Sequence, residues 1–317
     1  MKKIKNEKEK KEMKMKKILA MVTTVVMMMG LATGCGSSNY GNGSAEDNDN
    51  GNVEFDSLYE ISVVSREDGS GTRGAFIELF GIEQKDESGE KVDYTTDEAI
   101  ITNNTSVMMT TVADDEYAIG YVSLGSLNDT VKALKVDGAE ASEENIKNGT
   151  YKVSRPFNIA TKGDVSEVTQ DFIDFILSKE GQEVVSENKY IALDVAESYA
   201  GNKPAGKIVI AGSTSVTPLM EKLKEAYLAI NTNAEIQIQT NDSTTGMTMT
   251  KEGTCDIGMA SRELKDAEIA EGLKGTVIAT DGVAVIVNKA NTLDDITSDQ
   301  VKNIYMGEVL TWDEIAE

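Results

Sequence analysis

The chain has 317 residues, 27% charged and 40% hydrophobic, enough to bury the core of one or two domains, and its 3 prolines and 27 glycines exclude a collagen-like or low-complexity chain. It has no histidine, which excludes Ser-His-Asp and Cys-His nucleophiles, imidazole bases and His-containing metal sites, and its two cysteines, Cys35 and Cys255, cannot make a zinc cage or a disulfide framework. Of the net charge of −23, residues 1–34 contribute +6 (nine Lys, three Glu), so the remainder carries −29, a poor binder of nucleic acid or anionic membrane.

Residues 1–17 are Lys-rich and residues 18–34 (ILAMVTTVVMMMGLATG) are apolar and uncharged, the layout of a signal peptide. The run is slightly short for a membrane span, which is the alternative reading. Ala32-Thr33-Gly34-Cys35 resembles a bacterial lipobox, although Leu is more usual where Ala32 stands. That resemblance implies cleavage before Cys35 and a lipid on it, tethering the chain to the outer face of the cell membrane. Residues 35–57 then form a flexible linker, rich in Gly, Ser, Asn and Asp. A calcium loop is a poor fit there: with Gly51 at loop position six, Ser57 falls where a bidentate Glu is needed.

From residue 58 short β-branched runs alternate with helical stretches. Strands are predicted at 61–65, 118–124, 132–136, 157–161, 207–211, 236–239, 277–279 and 282–288. Helices are predicted at 72–80, 168–187, 217–231 and 297–305. Such alternation indicates an α/β fold with helices covering a mostly parallel or mixed sheet. Lys203-Pro204-Ala205-Gly206 reads as a linker within the body.

Three segments place a Ser/Thr/Gly loop between a strand and a helix: 65–73 (SREDGSGTR), 211–215 (AGSTS) and 241–246 (NDSTTG). A helix N-terminus presents unpaired N–H groups and partial positive charge, glycines let the backbone approach, and hydroxyls add donors that also accept. Arg66 adds a full charge and a fork suited to oxyanions. Each loop alone is also an ordinary capped helix; three together with an arginine point to an anion. Residues 69–74 match GxGxxG, so a dinucleotide-binding enzyme is a rival. Arg66–Asp68 intervene between strand and first glycine, however, and no acid ends the next strand.

The segment 65–76 (SREDGSGTRGAF) resembles the signature of the phosphate-binding proteins of phosphate ABC importers. Similar likenesses lie at 118–125, 155–157, 211–219, 256–264 and 281–288, so the resemblance covers nearly everything from 58 to 317. It implies a two-lobed periplasmic-binding-protein fold (a Venus flytrap) with crossover strands as hinge. The motif order is exchanged: the family's second half, 58–195, precedes its first half, 206–317, as in a circular permutant. A fragment of a duplicated or misassembled gene is the alternative. Crossovers are expected near 155–161 and 279–287, giving 58–155 and 284–317 to one lobe and 156–283 to the other.

The resemblance further implies that Arg66 pairs with phosphate and that Asp68 orients Arg66. Ser70, Gly71 and Thr72 would donate from one lobe, and Thr214, Ser215 and Ser243 from the other. Ser261 stands where some members have Asp; it can accept the proton of hydrogen phosphate but cannot repel sulfate. Arg262 reaches either the cleft or the surface, Cys255 is a small buried residue, and Trp312 packs. The implied function is capture of inorganic phosphate by an extracytoplasmic lipoprotein. It would act as a monomer without catalysis, cofactor or metal, and deliver phosphate to ABC importer permease subunits. The membrane is met only through the lipid. A phosphate or oxyanion sensor or scavenger uncoupled from transport is the alternative.

Overall fold

A computed structural model describes residues 55–315; the leader, Cys35 and most of the linker lie outside them. The strands are β1 Ser62–Arg66, β2 Glu83–Lys85, β3 Lys91–Asp93, β4 Ile100–Thr102, β5 Ala118–Ser123, β6 Lys132–Ala133, β7 Lys135–Val136, β8 Ser154–Lys162, β9 Gly206–Ser213, β10 Ala234–Asn241, β11 Ile257–Ala260, β12 Leu273–Val287 and β13 Asp295–Ile296. The α-helices are α1 Gly71–Leu79, α2 Thr105–Asp114, α3 Glu143–Lys147, α4 Glu167–Ile176, α5 Lys179–Glu187, α6 Thr217–Ile230, α7 Ser243–Glu252, α8 Asp266–Ala270 and α9 Ser298–Tyr305.

One mixed sheet runs through the molecule in the order β10-β9-β11-β8-β12-β5-β1-β4. At one end β10, β9 and β11 are parallel; at the other, β5, β1 and β4 are parallel. Between them β8 and β12 form a long antiparallel pair, from Leu273 opposite Lys162 to Gly282 opposite Ser154. Two hydrophobic cores flank this pair. One contains Val64, Phe76, Tyr121, Val285, Ile304 and Trp312; the other contains Phe157, Phe172, Ile210, Leu223, Met259 and Ile278. The molecule is thus two-lobed, and β8 and β12 are the strands the lobes share. The last five residues of β12 (VAVIV) are all buried, as a strand covered on both faces requires.

The predicted helix 168–187 is two helices. Ser178 caps the second: its hydroxyl accepts from the Gly181 amide at 3.2 Å and donates to the Phe175 carbonyl at 2.7 Å. The segments 277–279 and 282–288 are one strand, β12, with a bulge between Val277 and Ala279. Residues 57–61 and 310–313 lie side by side: the Ile61 amide donates to the Leu310 carbonyl at 2.7 Å and the Asp313 amide to the Ser57 carbonyl at 2.9 Å. The stretch 192–205 has no regular structure and leads into β9. It is tied down by Asp171, which accepts from the Tyr199 hydroxyl at 2.6 Å and the Asn202 amide at 3.1 Å.

Candidate functional site

Four helices begin at the junction of the lobes. Helix α1 follows β1 and is capped by Ser70; α2 is capped by Asn104, α6 carries a proline in its first turn, and α7 is capped by Asp242. The cap residues are those that satisfy free N–H groups, so one polar composition both starts the helices and furnishes the junction. The four N-termini supply positive potential locally in a chain that is strongly anionic overall.

Side chains from the two lobes meet here at hydrogen-bond distance. The Arg66 guanidinium, 3% exposed, donates through Nη2 to Thr214 Oγ1 at 3.2 Å. Thr72 Oγ1 lies 2.8 Å from Ser215 Oγ. Thr105 Oγ1 lies 3.1 Å from Thr214 Oγ1 and 3.4 Å from Ser215 Oγ. Behind them Ser213 Oγ donates to Ser261 Oγ at 3.0 Å, and Ser243 Oγ accepts from the Ser261 amide at 3.1 Å. A Cβ on Gly71 would overlap Ser243 Oγ and lie 2.7 Å from Ser261 Oγ. Arg66, Ser70, Gly71, Thr72, Thr214, Ser215, Ser243 and Ser261 are therefore brought to one place; the Ser70 hydroxyl faces its own helix, accepting from the Arg73 amide at 3.3 Å.

Asp68 does not orient Arg66. Its side chain is 97% exposed and pairs with Arg73 at 3.0 Å. Glu67 holds the guanidinium instead, accepting from Nε at 2.8 Å and from Nη2 at 2.7 Å. The chain turns after β1, which swings Asp68 outward and folds Glu67 back onto its neighbour. Arg73 buttresses this turn: Nη1 donates to the Arg66 carbonyl at 2.7 Å, while Nη2 pairs with Asp93 at 2.8 Å. Burial would raise the Asp93 carboxyl, but the Thr95 and Arg73 hydrogen bonds outweigh it and hold it below its ordinary value. Beneath Arg66, the Tyr121 hydroxyl accepts from its amide at 3.2 Å; burial pushes that phenol up to about 12.

The dinucleotide reading fails on its glycines. Gly69 and Gly71 lie against the opposite lobe, a Cβ on Gly69 overlapping the Asp242 carboxylate, so their missing side chains make room for protein rather than for a pyrophosphate. Arg262 is not an exposed surface arginine: it is buried and bound by both carboxylate oxygens of Glu268, at 2.9 and 2.7 Å, and its Nη2 also donates to Thr244 Oγ1 at 3.3 Å. Cys255 is buried, and burial raises its thiol. Trp312 packs, donating Nε1 to the Tyr117 carbonyl at 3.1 Å. Among the described residues no cluster of three or more His, Cys, Asp or Glu could hold a metal, and no helix is long and apolar enough to cross a membrane.

Sequence reasoning missed Glu67, Thr105 and Ser213. Asn103-Asn104-Thr105-Ser106 has the same strand, polar loop and helix design as the three loops recognised, but its strand β4 is only three residues long. A groove of about 530 Å³ opens beside the site, lined by Glu67, Asn104, Thr105, Thr214, Thr217 and Asp242 among others.

Residues 56–180 and 197–317 match the model of the PBP superfamily domain. "Phosphate-binding protein PstS 2" of Streptococcus agalactiae is 58% identical over 258 residues, covering 81% of this chain and 88% of that protein. The crystal structure of a phosphate-binding protein of a phosphate ABC transporter from Streptococcus pneumoniae covers 81% of this chain and 99% of its own, with 45% identity and a TM-score of 0.64. "Phosphate-binding protein PstS" of Bacillus subtilis is 32% identical over 115 residues, 36% of this chain and 38% of that protein. The chain belongs to the PBP superfamily and, within it, to the PstS-like phosphate-binding proteins.

Proposed function

We propose that this protein captures inorganic phosphate between its two lobes, outside the cytoplasm, and delivers it to the permease of an ABC importer. The observation that carries the reading is the convergence of Arg66 with hydroxyls of both lobes, Thr72, Thr105, Thr214 and Ser215, at a buried junction where four helices begin. A tetrahedral oxyanion matches that arrangement: its oxygens accept from several directions, and the guanidinium supplies the one full countercharge. The names of the streptococcal relatives agree with it.

In this reading Arg66, Ser70, Gly71, Thr72, Thr214, Ser215, Ser243 and Ser261 bind phosphate, and Glu67 orients Arg66. The protein binds and releases its ligand unchanged, as a monomer. One lobe comprises 58–155 with 284–317 and the other 156–283. A lipid on Cys35 holds the protein at the membrane. The chain is a circular permutant of the order found elsewhere in the family. Two observations support this last point. Residues 57–61 bond to residues 310–313. The Bacillus relative matches over only about a third, as expected when two halves exchange places.

Calorimetric titration of residues 36–317 with phosphate and with sulfate tests the function. Stoichiometric phosphate binding is expected, with sulfate weaker but measurable because Ser261 carries no charge to repel it. Absence of phosphate binding overturns the reading.

A further inference from the structure

The cross-lobe hydroxyls form a single file. Thr72 Oγ1 lies 2.8 Å from Ser215 Oγ, Ser215 Oγ 3.4 Å from Thr105 Oγ1, Thr105 Oγ1 3.1 Å from Thr214 Oγ1, and Thr214 Oγ1 accepts from Arg66 Nη2 at 3.2 Å. Thr105 is the link between two otherwise separate pairs. It is 6% exposed and is the first residue of α2. The Asn104 side chain accepts from the Val107 amide at 2.8 Å, so the helix is capped without help from the Thr105 hydroxyl. That hydroxyl is left free to serve the cleft.

Each hydroxyl has one proton to give and can also accept. Four hydroxyls in file are joined by three hydrogen bonds, so one proton is left unassigned. If the file runs from Thr72 toward Thr214, the spare proton sits on Thr214 and Thr72 can accept. If it runs the other way, the spare proton sits on Thr72. The Arg66 donation to Thr214 Oγ1 is compatible with either direction. A hydroxyl file of this kind can present a donor or an acceptor at the same end of the site without moving a heavy atom.

Resting on the phosphate-binding reading above, we propose that Thr105 is a positioning residue for the oxyanion: it joins the Thr72–Ser215 and Thr214–Arg66 pairs into one reversible file and so directs the spare hydroxyl proton at the ligand. Removing its hydroxyl leaves two short segments that can no longer reorient together.

The test is calorimetric titration with inorganic phosphate from about pH 5.5 to about pH 8.5, across the second ionisation of a phosphate group. The proteins compared are the wild type, Thr105→Val and Thr105→Ser. The wild type is expected to hold its affinity within a few-fold over that range. Thr105→Val is expected to bind roughly tenfold more weakly at its best pH and to acquire a steep pH dependence, with melting temperature unchanged. Thr105→Ser is expected to restore both magnitude and profile. Thr105→Val binding within about twofold of wild type, with the same profile, overturns the proposal, as does a wild type as pH-dependent as the valine variant. Wild type that binds no phosphate removes the underlying reading instead, so the two failures are distinguishable.

Discussion

Thr72 and Ser215 share a hydrogen bond of 2.8 Å between their hydroxyls, although 143 positions separate them in the chain. The first lies in the opening turn of α1, which follows β1, and the second in the turn after β9, on opposite lobes. A contact between segments so far apart in the chain requires the two lobes to close on each other.

Arg66 carries a full positive charge across this junction, donating to Thr214 at 3.2 Å. Arg66→Ala is expected to weaken phosphate binding by about 2–5 kcal/mol, the usual cost of losing one partner of a buried charge pair. Titration that finds near-unchanged affinity removes Arg66 from the site.

The two acids after Arg66 are expected to behave oppositely. Glu67→Ala frees two of the guanidinium's donors, so affinity is expected to fall by about 1–3 kcal/mol. Asp68→Asn touches a side chain that is 97% exposed, and a change within about 0.5 kcal/mol is expected. The reverse ranking in a side-by-side titration returns the orienting role to Asp68.

Gly71→Ala tests closure. Its Cβ would overlap Ser243 Oγ and crowd Ser261, both on the other lobe and both fully buried. Overpacking of about 1–3 kcal/mol is expected to fall on the closed form alone. Small-angle scattering with saturating phosphate is expected to show a larger radius for the variant than for the wild type. Equal radii and equal affinity argue that the lobes do not meet through Gly71.

The shared strands carry a fully buried ion pair, Arg155 Nη2 to Asp281 Oδ2 at 3.1 Å, and Ser123 Oγ also donates to Asp281 at 2.9 Å. Burial pushes the Asp281 carboxyl up, against the pull of Arg155 and Ser123. Asp281→Asn leaves the guanidinium buried without countercharge. A loss of about 3–5 kcal/mol in urea unfolding is expected. A loss under about 1 kcal/mol shows that Arg155 finds water when its partner goes.

Acid sensitivity has a definite sign at Glu268. Burial alone would raise its carboxyl, but Arg262 and the Lys265 amide hold it below the ordinary value. The unfolded chain therefore binds this proton more readily than the folded one. The stabilisation is present above the unfolded value of about 4.3 and is lost as pH falls through the lower folded value. Thermal melts from about pH 6 to about pH 3 are expected to drop less steeply for Glu268→Gln than for wild type. Identical slopes assign the acid loss elsewhere.

Much of this architecture is readable from residue pattern. The strand at 61–65 lies one residue from β1 and the helix at 217–231 within one residue of α6, because β-branched runs and an apolar stripe leave little alternative. Short elements are not: β4 and β11 have three and four residues, too few to display a period. The break between α4 and α5 carries no Pro; it rests on the Ser178 hydroxyl and on Gly181, where a Cβ would overlap the Phe175 carbonyl, and a lone serine and glycine inside an apolar stripe do not announce a break. Within the site, the hydroxyl loops stand out because helix capping and anion binding call on the same side chains. The choice between Glu67 and Asp68 does not, since it depends on how the turn after β1 winds, and adjacent acids are indistinguishable by composition.

The two cores lie differently along the chain. Every buried residue of the core around Phe172 and Ile210 falls between Phe157 and Ala279, a continuous stretch, whereas the core around Phe76 and Tyr121 also needs Val283–Val287 and residues up to Ile315. The lobe that holds Arg66 is therefore completed by residues from beyond the other lobe's run, whereas the other lobe packs from one stretch of chain. Truncation near residue 290 removes α9 and the buried residues up to Ile315 from the first lobe and leaves the second core whole. Limited proteolysis of a chain truncated there is expected to spare 157–279 and to cut 58–155; protection of both stretches would contradict this division.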